Sequence, residues 1–175
     1  MTETISVRRV GAHEAAQHIG DLADVLIDCV AGGASVSFMW PLARDKAIAF
    51  WQTVAAGVER GERALLIAED VDGRIAGTVQ LVLAQPDNQP HRADVAKMLV
   101  HRRARRQGVA HRLMAAADAV ARDEGKTVLV LDTVTGGEAE RVYERAGWQR
   151  VGEVPNYALM PDGSFCGTTF YFKHL

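Results

Sequence analysis

Arg105-Arg106-Gln107-Gly108-Val109-Ala110 is the stretch on which the fold turns. It lies between an extended pattern, Arg92 to Val100, and an amphipathic one, Gly108 to Glu124. In the second, Val109, Leu113, Met114, Ala117, Val120 and Ala121 share one helical stripe. A turn that ends a strand and opens a helix exposes unpaired backbone N–H groups and the positive end of the helix dipole, and both attract phosphate. Gly108 lets the backbone approach an anion with no Cβ in the way, and Ala110 is small for the same reason. From His101 to Arg112 there are five arginines, two histidines and no acid. Those arginines can add charge-assisted hydrogen bonds to further phosphates. A basic turn capping a surface helix would carry the same letters. Neither Gly-x-Gly-x-x-Gly nor Gly-x-x-x-x-Gly-Lys-Ser/Thr occurs here, so a Rossmann or P-loop assignment has no support.

Outward from that turn the elements alternate. Upstream, Ile5 to Val10 reads as a strand, His13 to Val30 as a helix broken by Gly32-Gly33-Ala34-Ser35, and Leu42 to Glu59 as a second helix with Ile48, Trp51 and Val54 inward. Ala64 to Glu69 and Arg74 to Leu83 flank Asp70-Val71-Asp72-Gly73, which predicts a hairpin. Downstream, Thr127 to Asp132 is a nearly continuous apolar run, typical of a strand covered on both faces. Glu138 to Arg145 reads as a short helix. Trp148 to Val154 and Cys166 to Lys173 read as strands joined across Pro161-Asp162-Gly163. The order β-α-α-β-β-β-α-β-α-β-β predicts an α/β fold: one mixed, mostly antiparallel sheet of about seven strands flanked by about four helices.

Composition narrows the class. The chain has 175 residues, is 48% hydrophobic and 24% charged, and carries a net charge of −2. That suits a single domain over residues 1–175 with a sizeable core. No apolar run approaches the roughly 20 residues needed to cross a bilayer, and no membrane partner is expected. Met1 to Val7 lacks the basic-then-apolar pattern of a signal peptide. Cys29 and Cys166 are far apart and in no metal-like spacing, so a reducing cytoplasm is expected, with no disulfide and no metal. One short basic cluster without interleaved aromatics, in a chain of negative charge, points to the phosphates of one small ligand rather than to nucleic acid.

The basic turn resembles the coenzyme-A motif of the GNAT acetyltransferases, Arg/Gln-x-x-Gly-x-Gly/Ala after a strand ending in valine. Arg105, Gly108 and Ala110 match it, Val100 matches the strand end, and Arg102 stands where proline is common. Ala139-x-x-x-Tyr143-x-x-x-Gly147-Trp148 resembles the family's later helix-and-turn motif, with Gly136 where asparagine is frequent. Gly32 to Val36, Arg92 to Lys97, Leu131-Asp132-Thr133 and Pro161 through Lys173 look like the tabtoxin-resistance-like branch, which acetylates a small amino-acid-like antibiotic.

The resemblance implies acetyl-CoA as cosubstrate. Backbone amides of Arg105, Arg106, Gln107, Gly108, Val109 and Ala110 would hold its pyrophosphate, and Met98, Leu99 and Val100 would pair with its pantetheine. Tyr143 would face the sulfur as proton donor. A phenol stays protonated at neutral pH and can hydrogen-bond a developing thiolate; a packed helical aromatic would look the same. Acetyl transfer to an amine also needs a group to take or orient its proton. Asp132, at the end of a strand beside the cradle, and Asp94, on the strand before it, are the candidates, with a bound water as the third. Asp94 can equally be an exposed residue paired with Arg92 or Lys97, and Asp132 a loop cap. A backbone N–H near Val100 is the expected oxyanion donor.

Ser35 and Phe38, on the Gly32 to Met39 loop, and Tyr157, on the loop before Pro161, are expected to line the acceptor pocket with Asp94 and Asp132. The expected acceptor is a primary amine on a small amino-acid-like molecule, by direct transfer in a ternary complex, in a monomer or homodimer. Protein or peptide acetylation and a non-catalytic coenzyme-binding module are the alternatives.

Overall fold

A computed structural model describes residues 5–175; residues 1–4, part of the segment read above for a targeting signal, lie outside it. The chain runs β1 (Ser6–Val10), α1 (Ala12–Gln17), α2 (Ile19–Ala31), α3 (Arg44–Glu59), β2 (Arg63–Glu69), β3 (Ile75–Val82), β4 (Arg92–Val100), α4 (Val109–Asp123), β5 (Val128–Val134), α5 (Glu138–Arg145), β6 (Gln149–Leu159) and β7 (Phe165–His174). A short 3₁₀ turn, Arg102–Ala104, leads from β4 to α4. The strands form one seven-stranded sheet in the order β1-β2-β3-β4-β5-β7-β6. Among the described strands only β4 and β5 run parallel.

The sheet carries helices on both faces, as the pattern of elements predicts. Leu65, Ile67, Ile75 and Leu99 pack beneath α2 and α3, against Leu22, Leu26, Trp51 and Val54. On the opposite face Leu66, Val79, Leu81, Leu129 and Leu131 pack with Val109, Leu113, Met114 and Ala117 of α4 and with Tyr143 of α5. The alternation of Leu65, Leu66 and Ile67 between the two clusters is the period of a strand buried on both sides.

Several boundaries differ from the expectation. The expected helix from His13 to Val30 is two helices that meet at His18. The apolar spacing continues through Leu22, Val25 and Leu26, so nothing in the pattern marks the break. Gly108, expected inside the fourth helix, caps it instead, at φ 74. β5 is covered on one face only: Leu129 and Leu131 are buried, while Val128 and Val130 are half-buried. The helices α2 and α3 lie mainly over β2, β3 and β4, so they leave the other face of β5 without helical cover. β6 continues past Val154 to Leu159 through an irregularity in its pairing with β7. Tyr157 therefore stands on a strand and not on a loop.

Candidate active site

Two features of β4 shape the site. The first is its partnership with β5. Their parallel pairing covers Arg92 with Val128, Ala93 with Leu129 and Asp94 with Val130, and goes no further. Beyond Asp94 the edge of β4 that faces β5, including Met98, Leu99 and Val100, has no strand partner, and a gap opens in the middle of the sheet. The second is a bulge. Thr78 of β3 pairs with Leu99, but Gln80 pairs with Ala96, so β4 holds an extra residue there. Lys97 sits in that bulge at φ 51. The bulge reverses the side-chain alternation: Val95 belongs to the α4 side of the sheet and Leu99 to the α2 side.

The turn from β4 into α4 stands at the mouth of the gap. Gly77 of β3 pairs with Val100 and sets how closely α4 approaches. A Cβ on Gly77 would lie 2.8 Å from the Leu99 carbonyl oxygen and 3.2 Å from the Val109 and Leu113 side chains. Among the described residues, no backbone carbonyl outside the helix accepts from the amides of Gly108, Val109 or Ala110. Gly108 is in the left-handed region, where a side chain is strained, and a Cβ there would meet nothing within 4 Å. The result is a run of free donors at the positive end of a fifteen-residue helix.

The basic run divides its labour. Arg102 donates its amide and Nε to the Asp28 carboxylate of α2, at 2.8 and 2.7 Å. Arg103 donates to the Ile75 carbonyl at 2.7 Å and lies 3.1 Å from Asp70. Arg112 donates to the carbonyls of Ile5 and Gln107, at 2.7 and 3.0 Å. These three hold the turn in place, so the expectation that all the arginines serve phosphates is too generous. Arg105 leans back toward the Val100 carbonyl, with Nε at 3.4 Å. Arg106, exposed and at φ 63, makes no side-chain hydrogen bond or ion pair among the described residues. His101 is neither a free surface group nor an anion donor at Nδ1, which accepts from the Arg103 amide at 3.2 Å and caps the 3₁₀ turn.

Across the gap, a cleft of about 330 Å³ is lined by Ser35, Ser37 and Phe38 of the loop after α2, by Asp132 and Thr133 at the end of β5, and by Tyr157, Cys166 and Thr168 of the β6–β7 hairpin. Ser35, Phe38, Asp132 and Tyr157, far apart in sequence, thus share one wall. Asp132 accepts from Thr168 Oγ1 at 3.0 Å and is otherwise exposed to the cleft. Asp94 is not part of that lining: its carboxylate accepts from Arg92 and, at 3.2 Å, from Gln85. Ser37 lies in the Gly32 to Met39 loop and Thr133 in the Leu131-Asp132-Thr133 stretch quoted above, while Cys166 and Thr168 were not singled out for the cleft, since alternation along β7 marks which residues face out but not what they face.

Tyr143, on α5, is buried between Trp148 and Tyr171, with ring centroids at 6.1 and 6.2 Å. Among the described residues its hydroxyl has no hydrogen-bond partner. Burial, and then the charge of Asp132, push the phenol up to about 12. It is therefore protonated throughout the neutral range and near enough to Asp132 to feel that carboxylate. Lys97, the end of the Arg92 to Lys97 stretch and an expected alternative partner for Asp94, instead donates to Ser37 Oγ at 3.0 Å. Burial lowers its ammonium below the usual lysine range, opposed by the charge of Asp132.

The sheet is open and mixed, its parallel pair parts beside a turn with free backbone donors, and a cleft is lined by residues from the end of β5 and the β6–β7 hairpin. Comparison with known proteins gives the class. The sequence model of the Acetyltransferase (GNAT) family matches residues 33–148. The chain belongs to the GNAT acetyltransferase family.

Solved structures with the same fold include a candidate phosphinothricin N-acetyltransferase, 18% identical, with 98% of this chain and 99% of that chain covered at a TM-score of 0.79. The ribosomal-protein-alanine N-acetyltransferase of Brucella melitensis is 19% identical, with 97% and 99% covered and a TM-score of 0.79. The yncA protein of Salmonella typhimurium, solved with its cofactor acetyl-CoA, is 16% identical, with 98% and 94% covered and a TM-score of 0.74. At such identities the likeness is one of fold.

The residues present here fit the family's donor. Free amides at Gly108 to Ala110 and the uncommitted guanidinium of Arg106 match a pyrophosphate, and the open edge of β4 leaves room for an extended chain. Among the described residues no helix is long and apolar enough to cross a membrane.

Proposed function

We propose that this acetyltransferase moves acetyl from acetyl-CoA to the primary amine of a small amino-acid-like molecule, in a ternary complex and without an acetyl-enzyme. An amine antibiotic of the kind handled by the tabtoxin-resistance-like branch is one such acceptor. The observation that carries this reading is the position of Asp132. It lines a cleft of small-molecule size at the end of the strand that parts from β4, within electrostatic reach of Tyr143.

Bound acetyl-CoA supplies an activated acetyl thioester. The amides of Gly108, Val109 and Ala110, with Arg105 and Arg106 beside them, fix the pyrophosphate. Met98, Leu99 and Val100 present an unpaired strand edge to the pantetheine. Asp132, held by Thr168, orients the acceptor ammonium and takes its proton, directly or through one water. A backbone N–H near Val100 is the donor available to the carbonyl oxygen as charge develops on it. Tyr143 keeps its own proton at neutral pH and offers it to the departing sulfur. Asp94, tied to Arg92 and Gln85, is less free to act as the base. Holding both reactants across one gap supplies much of the acceleration.

Two of the matched structures are described as acting on a small molecule and on a protein, respectively, at equal TM-score, so the fold does not choose between these acceptors. The cleft volume favours the small one. Incubating the enzyme with acetyl-CoA and a panel of small amines, beside a peptide library, tests the choice by mass spectrometry. Acetylated small amines, with a rate reduced at least tenfold in Asp132→Asn, are expected. Acetylated peptides alone would reassign the acceptor. Coenzyme binding with no transfer at all would leave a binding module.

A further inference from the structure

Four non-glycine residues among those described adopt left-handed backbone: Ser37, Lys97, Arg106 and Asn156. Two of them touch. Lys97 Nζ donates to Ser37 Oγ at 3.0 Å, from the bulge in β4 to the loop after α2. Strained backbone persists only where the surroundings hold it, and here both strained residues serve one contact at the acceptor cleft. The lysine ammonium lies over the Phe50 ring, with Nζ 5.8 Å from its centroid. Ser37 accepts from the ammonium, so its own O–H remains free to donate.

What this cation faces is unusual. Among the described residues no carboxylate lies within 4.0 Å of the Lys97 ammonium. Asp132 acts on it from farther away, and Arg63 adds a second positive charge. Arg63 itself donates to Gln80 Oε1 at 2.9 Å, and the buried Gln80 Nε2 has no partner. The half-buried ammonium and the free hydroxyl proton of Ser37 stand side by side, and Ser37 lines the cleft that Asp132 also lines. Buried cations in folded proteins are ordinarily paired.

We propose that Lys97 and Ser37 form the subsite for a carboxylate on the acceptor, so that the substrate is a zwitterion with its amine at Asp132 and its acid at Lys97. This rests on the small-amine reading above and narrows it to amino acids and their close analogues. An amine without an acid group leaves the ammonium unanswered and binds more weakly. The subsite acts on recognition and takes no part in the transfer itself.

The test compares amino acids with their own primary carboxamides as acceptors, at saturating acetyl-CoA, in the wild type and in Lys97→Gln. Differences in amine nucleophilicity cancel when the acid-to-amide ratio of kcat/KM is compared between proteins. The wild type is expected to favour the acid by tenfold or more. The ratio should collapse toward one in Lys97→Gln, chiefly through KM for the acid, and survive in Lys97→Arg. Ser37→Ala should lower it several-fold, and it carries the comparison if Lys97→Gln does not fold. A wild type that accepts amides as readily as acids, or a variant that loses both equally, overturns the subsite while leaving acetyl transfer standing. Transfer to no small amine at all, with acetyl-CoA still bound, removes the acceptor reading and this inference with it.

Discussion

Asp28 of α2 accepts both the main-chain amide and the side chain of Arg102, at 2.8 and 2.7 Å, and so pins the start of the basic turn to the opposite helical layer. Burial alone would raise the Asp28 carboxyl. The Arg102 amide and guanidinium, with His101 nearby, outweigh it and hold the group below the usual aspartate range. A carboxyl depressed in the folded state stabilises the fold fully above its unfolded value of about 4, and that contribution is lost as pH falls through the lower folded value. Replacing Asp28 by alanine is expected to cost roughly 1–2 kcal/mol, discounted for the exposure of Arg102. Thermal melting at pH 7 should show the loss, and the gap between variant and wild type should close at strongly acidic pH. An unchanged gap across that range would assign the cost to something other than the ion pair.

Gly108→Val separates folding from binding. A valine at φ 74 is strained by about 1–2 kcal/mol. Its Cβ meets no protein atom within 4 Å, so the variant should fold with a melting temperature lower by roughly 2–8 °C. Its side chain would project into the space an anion needs. The KM for acetyl-CoA is expected to rise at least tenfold while circular dichroism stays native.

The arginines make a paired prediction. Among the described residues Arg106 has no side-chain partner, and Arg103 holds the Ile75 carbonyl and Asp70. Arg106→Ala should raise the KM for acetyl-CoA several-fold at low salt, and less at high salt, with melting unchanged. Arg103→Ala should lower the melting temperature instead. Titrations at two ionic strengths, run beside thermal scans, would show whether the roles have been exchanged.

Tyr143→Phe keeps the ring between Trp148 and Tyr171 and removes only the hydroxyl. A fall in kcat of roughly 10- to 100-fold, with little change in KM for acetyl-CoA, is expected. Because the phenol is pushed up to about 12 by burial and by Asp132, the wild-type rate should show no downturn at the ordinary tyrosine value near 10. A downturn there that vanishes in the phenylalanine variant would contradict its protonated role.

Much of this was legible in the sequence because it is written in local signals. The helix stripe from Val109 to Ala121, the Asp-Gly turn at residues 72–73 and the strand from Arg92 to Val100 each follow from period and punctuation. Gly108 and Tyr143 stand out because a motif spaces them, and Asp132 because it closes an apolar strand beside the cradle. The remainder depends on register. Nothing local says that β4 and β5 part after Asp94, that a bulge turns Lys97 out of its alternation, or that Thr168 comes to rest against Asp132. Asp94 looked equivalent to Asp132 along the chain. The structure selects the reading in which Asp94 is paired with Arg92, and leaves Asp132 exposed to the cleft. The arginines looked alike for the same reason, since what distinguishes Arg103 from Arg106 is a carbonyl and a carboxylate from a different strand and turn.

The amide spectrum of the uniformly ¹⁵N-labelled protein, recorded during titration with coenzyme A, addresses the cradle directly. If the helix start takes the pyrophosphate, the largest shifts should fall on Gly108, Val109 and Ala110, followed by Met98 to Val100 along the open strand edge, and all should saturate together. Saturable binding that leaves those amides unmoved, or no binding at millimolar coenzyme, would contradict it.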